Sequence, residues 1–541
     1  MLPAHDLIAG KPTAILHVAI EQDIEDSAKV RRSLSLHTWL PHEVDVFCKP
    51  QVWRACLRKI DDPRLLSDCG INDVPDNTPI HSTQHCKTAM MRFTSAAPSL
   101  RSALSQKSRS FATIAPSPVS SAVRNHKIVV IGGGAAGTSI SHQLLKTGGF
   151  KSEDVAIVDP AQWHHYQPGW TLVGGGLKDK KDLRIDLKSA LDPKLKFYNQ
   201  AASTFTPEQN SLTLQDGSQL SYEHLIVVPG ISLDFGSVKG LDQALEDPYS
   251  LVSTIYDYRY CDKAHRTIKS LKSGHAIFTQ PAGVVKCAGA PQKIMWLATD
   301  AWKSAGVFSP NAPSDSAISV DFATGLPAMF GVPKYSAALE EIRKQRGVNG
   351  LFQHDLVSID GNTATFAQAN NSEPVKKSFD LLHVSPKNKP HSFISSSPLA
   401  NAAGYVDVHD NTTQHKLFPN VWSAGDASSL PTSKTVAAIT AQAPVLVTNL
   451  LRSLSNPGEA QLEASYDGYT SCPLLTEYGK VMLAEFKYGG VPKETFNAML
   501  GGNYDQAVPR RTFWHLKKDF FPWVYKNYHV KGKWGGPNGF K

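Results

Sequence analysis

Two kinds of segment alternate along the chain from about residue 127 to residue 470. Short, continuous apolar runs, such as Ile-Val-Val-Ile at 128–131 and Val-Ala-Ile-Val at 155–158, are typical of buried parallel strands. Helix-like segments, such as residues 138–146, separate these runs. Strands that alternate with helices predict an α/β fold with mostly parallel sheets.

The composition fits a large folded chain and narrows its possible functions. The chain has 541 residues, of which 41% are hydrophobic and 19% charged, which is enough for two or three domains with buried cores. A formal net charge of +8 is small for this length and does not indicate nucleic-acid binding. The seven cysteines include no Cys-x-x-Cys pair, so we predict no zinc or iron–sulfur site. No apolar run reaches about 18 residues, so we predict no transmembrane helix.

The N-terminal part of the chain differs from the rest. Residues 1–89 show no periodicity or motif, and translation could begin instead at Met90 or Met91. Residues 90–125 are rich in serine, and no Asp or Glu occurs between Asp76 and Glu153. The basic residues of this segment are Arg92, Arg101, Lys107, Arg109 and Arg124. This composition is typical of a mitochondrial presequence, with a basic linker as the alternative.

A glycine-rich motif follows the first predicted strand. Residues 132–137 read Gly-Gly-Gly-Ala-Ala-Gly and match G-x-G-x-x-G. In such a motif Gly132 permits a tight turn, Gly134 lets the backbone approach a pyrophosphate, and Gly137 lets helix and strand pack closely. The amides around Ala135 and Ala136 then begin a helix whose N-terminus attracts phosphate. The motif therefore predicts a dinucleotide site.

The acid that usually accompanies this motif is also present. Asp159 directly follows the second predicted strand, about 20 residues beyond the glycines, where a ribose-binding carboxylate is expected. An acid at this point suits a free 2′-hydroxyl, so FAD or NAD is favoured over NADP.

Two later segments favour FAD. Residues 225–230 form an apolar run that ends at Gly230, and residues 420–426 form another that ends at Gly425 and Asp426. These segments resemble the second and third flavin motifs of the two-dinucleotide-binding-domain flavoprotein superfamily. The resemblance covers roughly residues 126–470. It implies non-covalent FAD, with Asp426 hydrogen-bonded to the ribityl chain.

The middle of the chain lacks a nicotinamide phosphate turn. A predicted strand ends near Pro281, and the following residues do not repeat the glycine spacing. We therefore predict that a small donor reduces the flavin directly. Cys287 lies in this replaced turn, where Lys286 or Lys293 could lower its pKa and favour the reactive thiolate. A packed, unreactive thiol is the alternative.

With these segments the chain resembles the mitochondrial sulfide:quinone oxidoreductase family. The matching segments are residues 155–161, 165–168, 170–173, 285–298, 329–332, 403–407, 430–439 and 466–475. The resemblance implies that FAD takes electrons from sulfide through a cysteine pair and passes them to ubiquinone, while the sulfur leaves on glutathione, sulfite or cyanide. It also implies roles for individual residues. Cys287 would contact the flavin ring, Gln167 would contact FAD, the backbone of Ala202 would face the adenine, and Lys434 would lie near the pyrimidine edge.

One position departs from the family pattern. The family carries its second redox cysteine directly after Gly-Asp, where this chain has Ala427. Cys261 or Cys472 could take its place, although Cys472 is expected to be a packed structural thiol. Cys287 could also work alone as a persulfide carrier, or the chain could be a paralogue that has lost efficient sulfide oxidation. The sequence leaves these alternatives open.

The C-terminal segment combines aromatic and basic residues. Residues 510–530 interleave Phe, Trp and Tyr with Lys and Arg. This pattern predicts an interfacial helix on the mitochondrial inner membrane, broken in two by Pro522. Packing of the segment on its own domain or on a second subunit is the alternative.

The complete prediction is an α/β protein with two Rossmann-like, three-layer domains and a helical tail that associates with the membrane. Its regions are an unassigned extension (1–89), a presequence-like segment (90–125), a first FAD-binding part (126–240), a second Rossmann-like domain (241–385), a returning FAD-binding part (386–470) and the C-terminal region (471–541). The predicted activity is sulfide:quinone oxidoreduction, with no metal and no nucleic acid. A single-subunit NADH:quinone oxidoreductase and a weakly active FAD-binding paralogue are the alternatives.

Overall fold

The computed structural model describes residues 123–147, 149–458 and 462–540. Residues 1–122, which include most of the presequence-like segment, lie outside this range. The first strand begins earlier than predicted, at Arg124, because Arg124 and Asn125 extend the pairing with Leu220 and Ser221.

The largest sheet, here called the nucleotide sheet, has seven strands in the described part of the chain. In spatial order six of them are Lys196–Tyr198, Val155–Val158, Arg124–Ile131, Gln219–Val227, Ser211–Leu214 and Ala202–Thr206. The seventh, Val421–Trp422, returns from far along the chain and pairs in parallel with Gln219–Val227. The first four strands are also mutually parallel, as the apolar runs predicted.

Both faces of the nucleotide sheet are buried, which explains the continuous apolar runs. Val129 and Ile131 point to one hydrophobic cluster, and Ile128 and Val130 point to another on the opposite face. Ile140 of the helix Ala135–Lys146 packs in the second cluster. The two layers of packing hold the ends of the parallel strands in place for the site described below.

A second parallel sheet, the middle sheet, has five strands. They are Val252–Ser253, Leu381–His383, Gly274–Gln280, Ile318–Thr324 and Asn349–Phe352. The α/β class predicted from the sequence is confirmed by these two sheets.

Smaller antiparallel sheets complete the strand structure. They comprise His354–Asp360 with Thr363–Gln368 and Asn371–Ser378; Thr470–Glu477 with Lys480–Lys487 and Val491–Pro492, here called the C-terminal sheet; Ser232–Asp234 with Lys387–Lys389; and Trp163–His165 with Arg184–Asp186.

The α-helices of the described residues connect and cover these sheets. They are Ala135–Lys146, Trp170–Gly174, Leu187–Ala190, Leu241–Glu246, Cys261–Ser270, Ala290–Ser304, Pro333–Gln345, Ser392–Ser395, Val436–Ser455, Thr495–Met499, Arg511–His515 and Phe521–Val524. Val436–Ser455 packs on Ala135–Lys146, and Ala290–Ser304 packs on the first strand of the C-terminal sheet.

The predicted break at Pro522 is wrong. Residues 511–529 are continuously helical, because the π-helical turns Leu516–Phe520 and Tyr525–His529 flank Phe521–Val524. The amide of Phe521 donates to the carbonyl of Leu516, five residues earlier. This wider turn accommodates proline, which has no amide hydrogen to donate.

The tail helix, residues 511–529, packs mainly on its own protein. Phe513, Phe520 and Val524 are buried in a cluster with Leu483 of the C-terminal sheet. The self-packing that the sequence left as an alternative is therefore realised for these side chains. In the part of the chain that the structure describes, no helix combines the length and the apolar character that crossing a membrane requires.

Candidate active site

The glycine motif forms a turn between the first strand and the helix Ala135–Lys146. Gly132 has φ +106°, and a Cβ atom there would lie 2.6 Å from Cα of Pro229. A Cβ atom on Gly137 would lie 1.8 Å from the carbonyl oxygen of Gly132. Only glycine fits at these two positions, because one needs an unusual backbone angle and the other sits against backbone.

Asp159 is tied to this turn. Its carboxylate accepts hydrogen bonds from the amide of Gly133 at 2.6 Å and from the amide of Ala161 at 2.7 Å. The side chain is thereby held at the end of the strand Val155–Val158, beside the glycine turn.

A cavity of about 700 Å³ collects most of the residues that the sequence predicted for the site. Its wall includes Gly132, Gly134, Ala135, Ala136, Asp159, Gln167, Ala202, Gly230, Cys287, Gly425, Asp426 and Lys434. Gly137 is not in the wall and lies beneath the turn, against Gly132. The volume is within the range of ligand sites, about 300–1,000 Å³.

The cavity wall fits a dinucleotide-type cofactor. Apart from the adjoining backbone, no protein atom lies within 4 Å of the Cβ position of Gly134 or Gly230, so backbone is open to a ligand there. Trp170 and His529 belong to the wall. Nε1 of Trp170 and Nδ1 of His529 are buried and have no hydrogen-bond partner in the protein. Buried polar atoms without partners are costly, and a polar ligand would satisfy them. The helix N-terminus at Ala135 adds the positive electrostatic potential that a diphosphate needs.

Cys287 is held in the cavity wall by its backbone. It has φ +52°, which is uncommon for a residue with a side chain. Its amide donates to the carbonyl of Lys434 at 2.8 Å, and its carbonyl accepts from the amide of Ala290 at 2.8 Å. The hydroxyl of Tyr256 also donates to this carbonyl at 3.4 Å. These bonds fix the position of the thiol at the start of the helix Ala290–Ser304.

The surroundings of Cys287 favour its thiolate. The hydrogen bond with Cys472 and the positive charges of Lys293 and Lys517 hold the pKa of Cys287 well below its usual value, although burial opposes them. Nζ of Lys293 donates to Sγ of Cys287 at 3.2 Å. Of the two lysines that the sequence offered, Lys293 makes this contact, whereas Lys286 donates to Oε1 of Gln167 at 2.8 Å.

Cys472 is packed in a hydrophobic cluster, as expected, and its Sγ lies 4.0 Å from Sγ of Cys287. The packing of Thr470–Glu477 on the helix Ala290–Ser304 brings the two together, and a Cβ atom on Gly289 would lie 2.6 Å from Sγ of Cys472. The segment 466–475 is one of the family-like segments, but its sequence does not show which other part of the protein it packs against.

Cys261 does not belong to this cluster. Its Sγ lies 3.6 Å from the carbonyl oxygen of Tyr258, and burial raises its pKa to about 12. Ala427 offers no sulfur, and its methyl group is buried in the hydrophobic cluster that contains Val129 and Ile131.

Lys434 and Asp426 form a second charged group in the wall. Burial lowers the pKa of Lys434 to about 8, and the negative charge of Asp426 opposes this shift. Burial likewise raises the pKa of Asp426, and Lys434 opposes that shift. Nζ of Lys434 donates to the carbonyl of Ser428 at 2.6 Å.

The tail helix supplies wall residues that sequence reasoning missed. Lys517 donates to the carbonyl of Pro168 at 3.0 Å, and burial lowers its pKa to about 7, helped by the positive charge of Lys293. The hydroxyl of Tyr525 lies 2.7 Å from Nε2 of His164, whose Nδ1 lies 2.9 Å from the carbonyl of Gly133. The tail therefore touches both the glycine turn and the cysteine cluster. No local pattern signals these contacts, because more than 300 residues separate the partners in sequence.

Comparison with known proteins decides the family. No family model matches the chain. The mitochondrial sulfide:quinone oxidoreductase of Schizosaccharomyces pombe is 46% identical over 434 residues, which cover 77% of this chain and 92% of the relative. The chain belongs to the mitochondrial sulfide:quinone oxidoreductase family. The family member of Mus musculus is 37% identical over 421 residues, covering 76% and 88% of the two chains.

A solved structure agrees on the fold. The sulfide:quinone oxidoreductase of Aquifex aeolicus superposes with a TM-score of 0.60 over 75% of this chain and 92% of the other, at 15% identity. Membership of the sulfide:quinone oxidoreductase family implies a flavin-type cofactor. The wall residues described above are the ones that would hold it.

Proposed function

We propose that this chain is an FAD-dependent sulfide:quinone oxidoreductase of mitochondria. It oxidises hydrogen sulfide to a sulfane sulfur product and reduces ubiquinone. The observation that carries this proposal is a cysteine in the wall of a dinucleotide cavity, with a buried lysine ammonium 3.2 Å from its sulfur. A thiolate in contact with a flavin site is the arrangement that direct reduction by a sulfur donor requires.

The position of each wall residue indicates which part of FAD it would bind. The amides at the start of Ala135–Lys146 would bind the diphosphate of FAD, and Asp159 would bind the ribose hydroxyls. Gln167, the backbone of Ala202, Gly230 and Asp426 would hold the rest of the cofactor, with Asp426 serving the ribityl chain. Bound FAD supplies a two-electron acceptor. Lys434 places a cation where negative charge develops during reduction.

Sulfur chemistry belongs to Cys287. Its thiolate is stabilised by Lys293, and a sulfur atom bound there faces the cavity. Binding of sulfide sulfur to Cys287 as a persulfide requires the loss of two electrons, for which bound FAD would be the acceptor. A small nucleophile such as glutathione, sulfite or cyanide then removes the outer sulfur, which leaves as a persulfide, thiosulfate or thiocyanate respectively.

An anaerobic titration of the purified yellow protein tests this function. Sulfide alone is expected to bleach the flavin absorbance, because Cys287 connects the donor to the cofactor. A short-chain ubiquinone is then expected to restore the oxidised spectrum. NADH is added to a second sample as the control donor.

Two results would contradict the proposal. A flavin that stays oxidised under excess sulfide would exclude sulfide as the donor. Bleaching by NADH would show that the loop after Gly274–Gln280 binds nicotinamide, and would favour an NADH:quinone oxidoreductase.

The tail helix supports a place on the surface of the inner membrane. Lys526, Lys531 and Lys533 are exposed, and the rings of Phe521 and Trp523 are only partly buried. Phe521 also lines the cavity, so a membrane at this surface would bring quinone to the site. Cations with half-exposed rings are typical of interfacial binding.

Sedimentation with vesicles tests the membrane proposal. The protein is expected to bind vesicles of phosphatidylcholine and cardiolipin, and each of Lys526→Glu and Lys531→Glu to weaken binding by about fivefold or more, since each lysine near an anionic surface contributes about 1 kcal/mol. Lys303→Glu, an exposed lysine on the helix Ala290–Ser304, is the matched control. Equal binding of all variants would mean that the tail does not face the membrane.

A further inference from the structure

We propose that Cys287 and Cys472 are the redox-active cysteine pair of this chain, with Cys472 acting in place of the family cysteine that Ala427 replaces. The inference rests on the proposed function and names a residue that carries it out. It answers the question that Ala427 raises, because it restores a two-cysteine cycle from a different part of the fold.

The two sulfur atoms are already close enough for a small rearrangement to join them. They lie 4.0 Å apart. A disulfide needs about 2.05 Å, so side-chain rotation has to close a gap of roughly 2 Å. The absence of a side chain at Gly289 leaves the space that Sγ of Cys472 occupies, since a Cβ atom there would approach it to 2.6 Å.

No other described cysteine can take this part. The described residues contain three cysteines, and the third, Cys261, has its thiol against the carbonyl of Tyr258. The methyl group at position 427 has no sulfur to offer and is packed in the core.

Two buried cations accompany the pair. Lys293, only 1% exposed, donates to Sγ of Cys287 and also interacts with Cys472. Lys517, 3% exposed, adds a second positive charge from the tail helix. Burying cations is costly, and negative charge on the sulfurs offsets that cost. A pair of inert packed thiols would give no such compensation.

The two cysteines differ in access and in acidity. Cys287 lines the cavity, whereas the cavity wall includes the neighbours of Cys472, Ser471 and Pro473, but not Cys472 itself. The hydrogen bond with Cys287, together with burial, raises the pKa of Cys472 well above its usual value. In the dithiol state Cys287 is therefore the thiolate and Cys472 holds the proton. This asymmetry assigns the cavity-facing nucleophile to Cys287 and the resolving role to Cys472.

The cycle balances with these two residues. Starting from the disulfide, HS⁻ attacks the accessible sulfur of Cys287, a new sulfur–sulfur bond forms, the Cys287–Cys472 bond breaks, and Cys472 leaves as a thiolate beside Lys293. An acceptor thiolate then takes the outer sulfur as its own persulfide and leaves Cys287 as a thiolate. Cys472, which takes up a proton in the dithiol state, gives it up again as the disulfide closes. The two electrons released would pass to quinone by way of a bound flavin-type cofactor. The quinone becomes a quinol with two protons.

Peptide mapping of the flavin-loaded, full-length protein tests the pair directly. The oxidised protein is quenched in acid, free thiols are alkylated, and the digest is analysed by mass spectrometry. We expect a linked peptide that joins residues 287 and 472. Anaerobic sulfide with glutathione is expected to open the link and make both thiols alkylatable, and quinone to restore it. Cys261→Ser, the control, is expected to keep the link.

A kinetic comparison gives an independent readout. Cys472→Ser is expected to bind flavin as the unaltered protein does, but to be reduced by sulfide about 100-fold more slowly or worse, as is typical for loss of one member of a catalytic unit. Cys261→Ser is expected to react at the unaltered rate. If Cys472→Ser does not fold, the peptide map of the unaltered protein still decides.

The outcomes separate this inference from the proposed function. A free, alkylatable Cys472 in the fully oxidised protein would overturn the pair, as would an unchanged sulfide rate in Cys472→Ser, even if sulfide bleaches the flavin of the unaltered protein. Conversely, a linked peptide in a protein whose flavin ignores sulfide would support the pair and contradict the proposed donor.

Discussion

Cys287→Ser is expected to lower the rate of flavin reduction by sulfide by about 10³-fold or more, a loss typical of removing a catalytic nucleophile. The reason is chemical, because a serine hydroxyl does not ionise near neutral pH and forms neither a disulfide nor a persulfide. Serine has nearly the same shape, and the bonds that fix this residue come from its backbone amide and carbonyl. The backbone contacts of residue 287 should therefore persist, while the buried Lys293 loses its anionic partner, so the thermal stability and flavin content of the variant are measured alongside.

Stopped-flow absorbance of the flavin measures this effect, with dithionite as a donor that does not need the thiol. Dithionite should reduce the variant as it reduces the unaltered protein. The matched control is Cys261→Ser, which removes a thiol outside the cavity and should leave the sulfide rate unchanged. Rapid reduction of Cys287→Ser by sulfide would show that the sulfur chemistry occurs elsewhere.

Gly137→Ala and Gly134→Ala are expected to have different effects, although both place a methyl group in the glycine motif. The first should lower the stability of the fold, and the second should lower flavin retention. At 137 the added Cβ would lie 1.8 Å from the carbonyl oxygen of Gly132, so strand and helix would have to separate. Overpacking costs about 1–3 kcal/mol, and a contact this short against backbone should reach or exceed the upper value. Gly137→Ala should therefore unfold at a clearly lower temperature even without flavin.

At 134 the new methyl group would meet no protein atom within 4 Å. The free energy of unfolding of the flavin-free protein should change by about 1 kcal/mol or less, which includes the weaker helix capping by alanine. Flavin retention should fall instead, because the methyl group would occupy space beside the cofactor phosphates. Thermal unfolding of the flavin-free variants and the flavin content after gel filtration measure the two effects. Equal losses of stability in Gly134→Ala and Gly137→Ala would contradict the assignment of Gly137 to packing and of Gly134 to cofactor binding.

The glycine motif and Cys287, on which these predictions depend, were both recognisable in the sequence. The strands around the glycine motif were predicted because apolar runs buried on two faces have a recognisable pattern. Cys287 was singled out from its place in the turn after Gly274–Gln280, and Lys293 lies only six residues away in a helix, so their contact is local. Such features depend on neighbours along the chain, and a single sequence shows them.

The position of Cys472 could not be predicted in that way. It lies 185 residues from Cys287, and their contact requires the C-terminal sheet to pack on the helix Ala290–Ser304. The expectation of a packed thiol followed from the usual behaviour of buried cysteine, and Cys472 is indeed packed in a hydrophobic cluster. What the sequence did not predict is that this packed sulfur lies beside Cys287 and the buried Lys293.

The tail shows the same difference. Its aromatic and basic composition predicted an interfacial helix and a break at Pro522. The structure buries Phe513 and Phe520, leaves Phe521 and Trp523 partly exposed, and carries the helix past the proline through π-helical turns. An aromatic-rich composition indicates that a segment needs an apolar partner, but it does not indicate whether lipid or protein is that partner.

The sequence by itself determined the α/β class, the glycine turn at 132–137, the acid at 159 and the choice of Cys287 as the candidate nucleophile, because each depends on periodicity or on the backbone needs of a short segment. Tertiary structure alone decided that Cys472, Lys517 and the tail helix meet at Cys287. Those contacts join parts of the chain that are brought together by the burial of apolar surfaces, and that packing has no local signature.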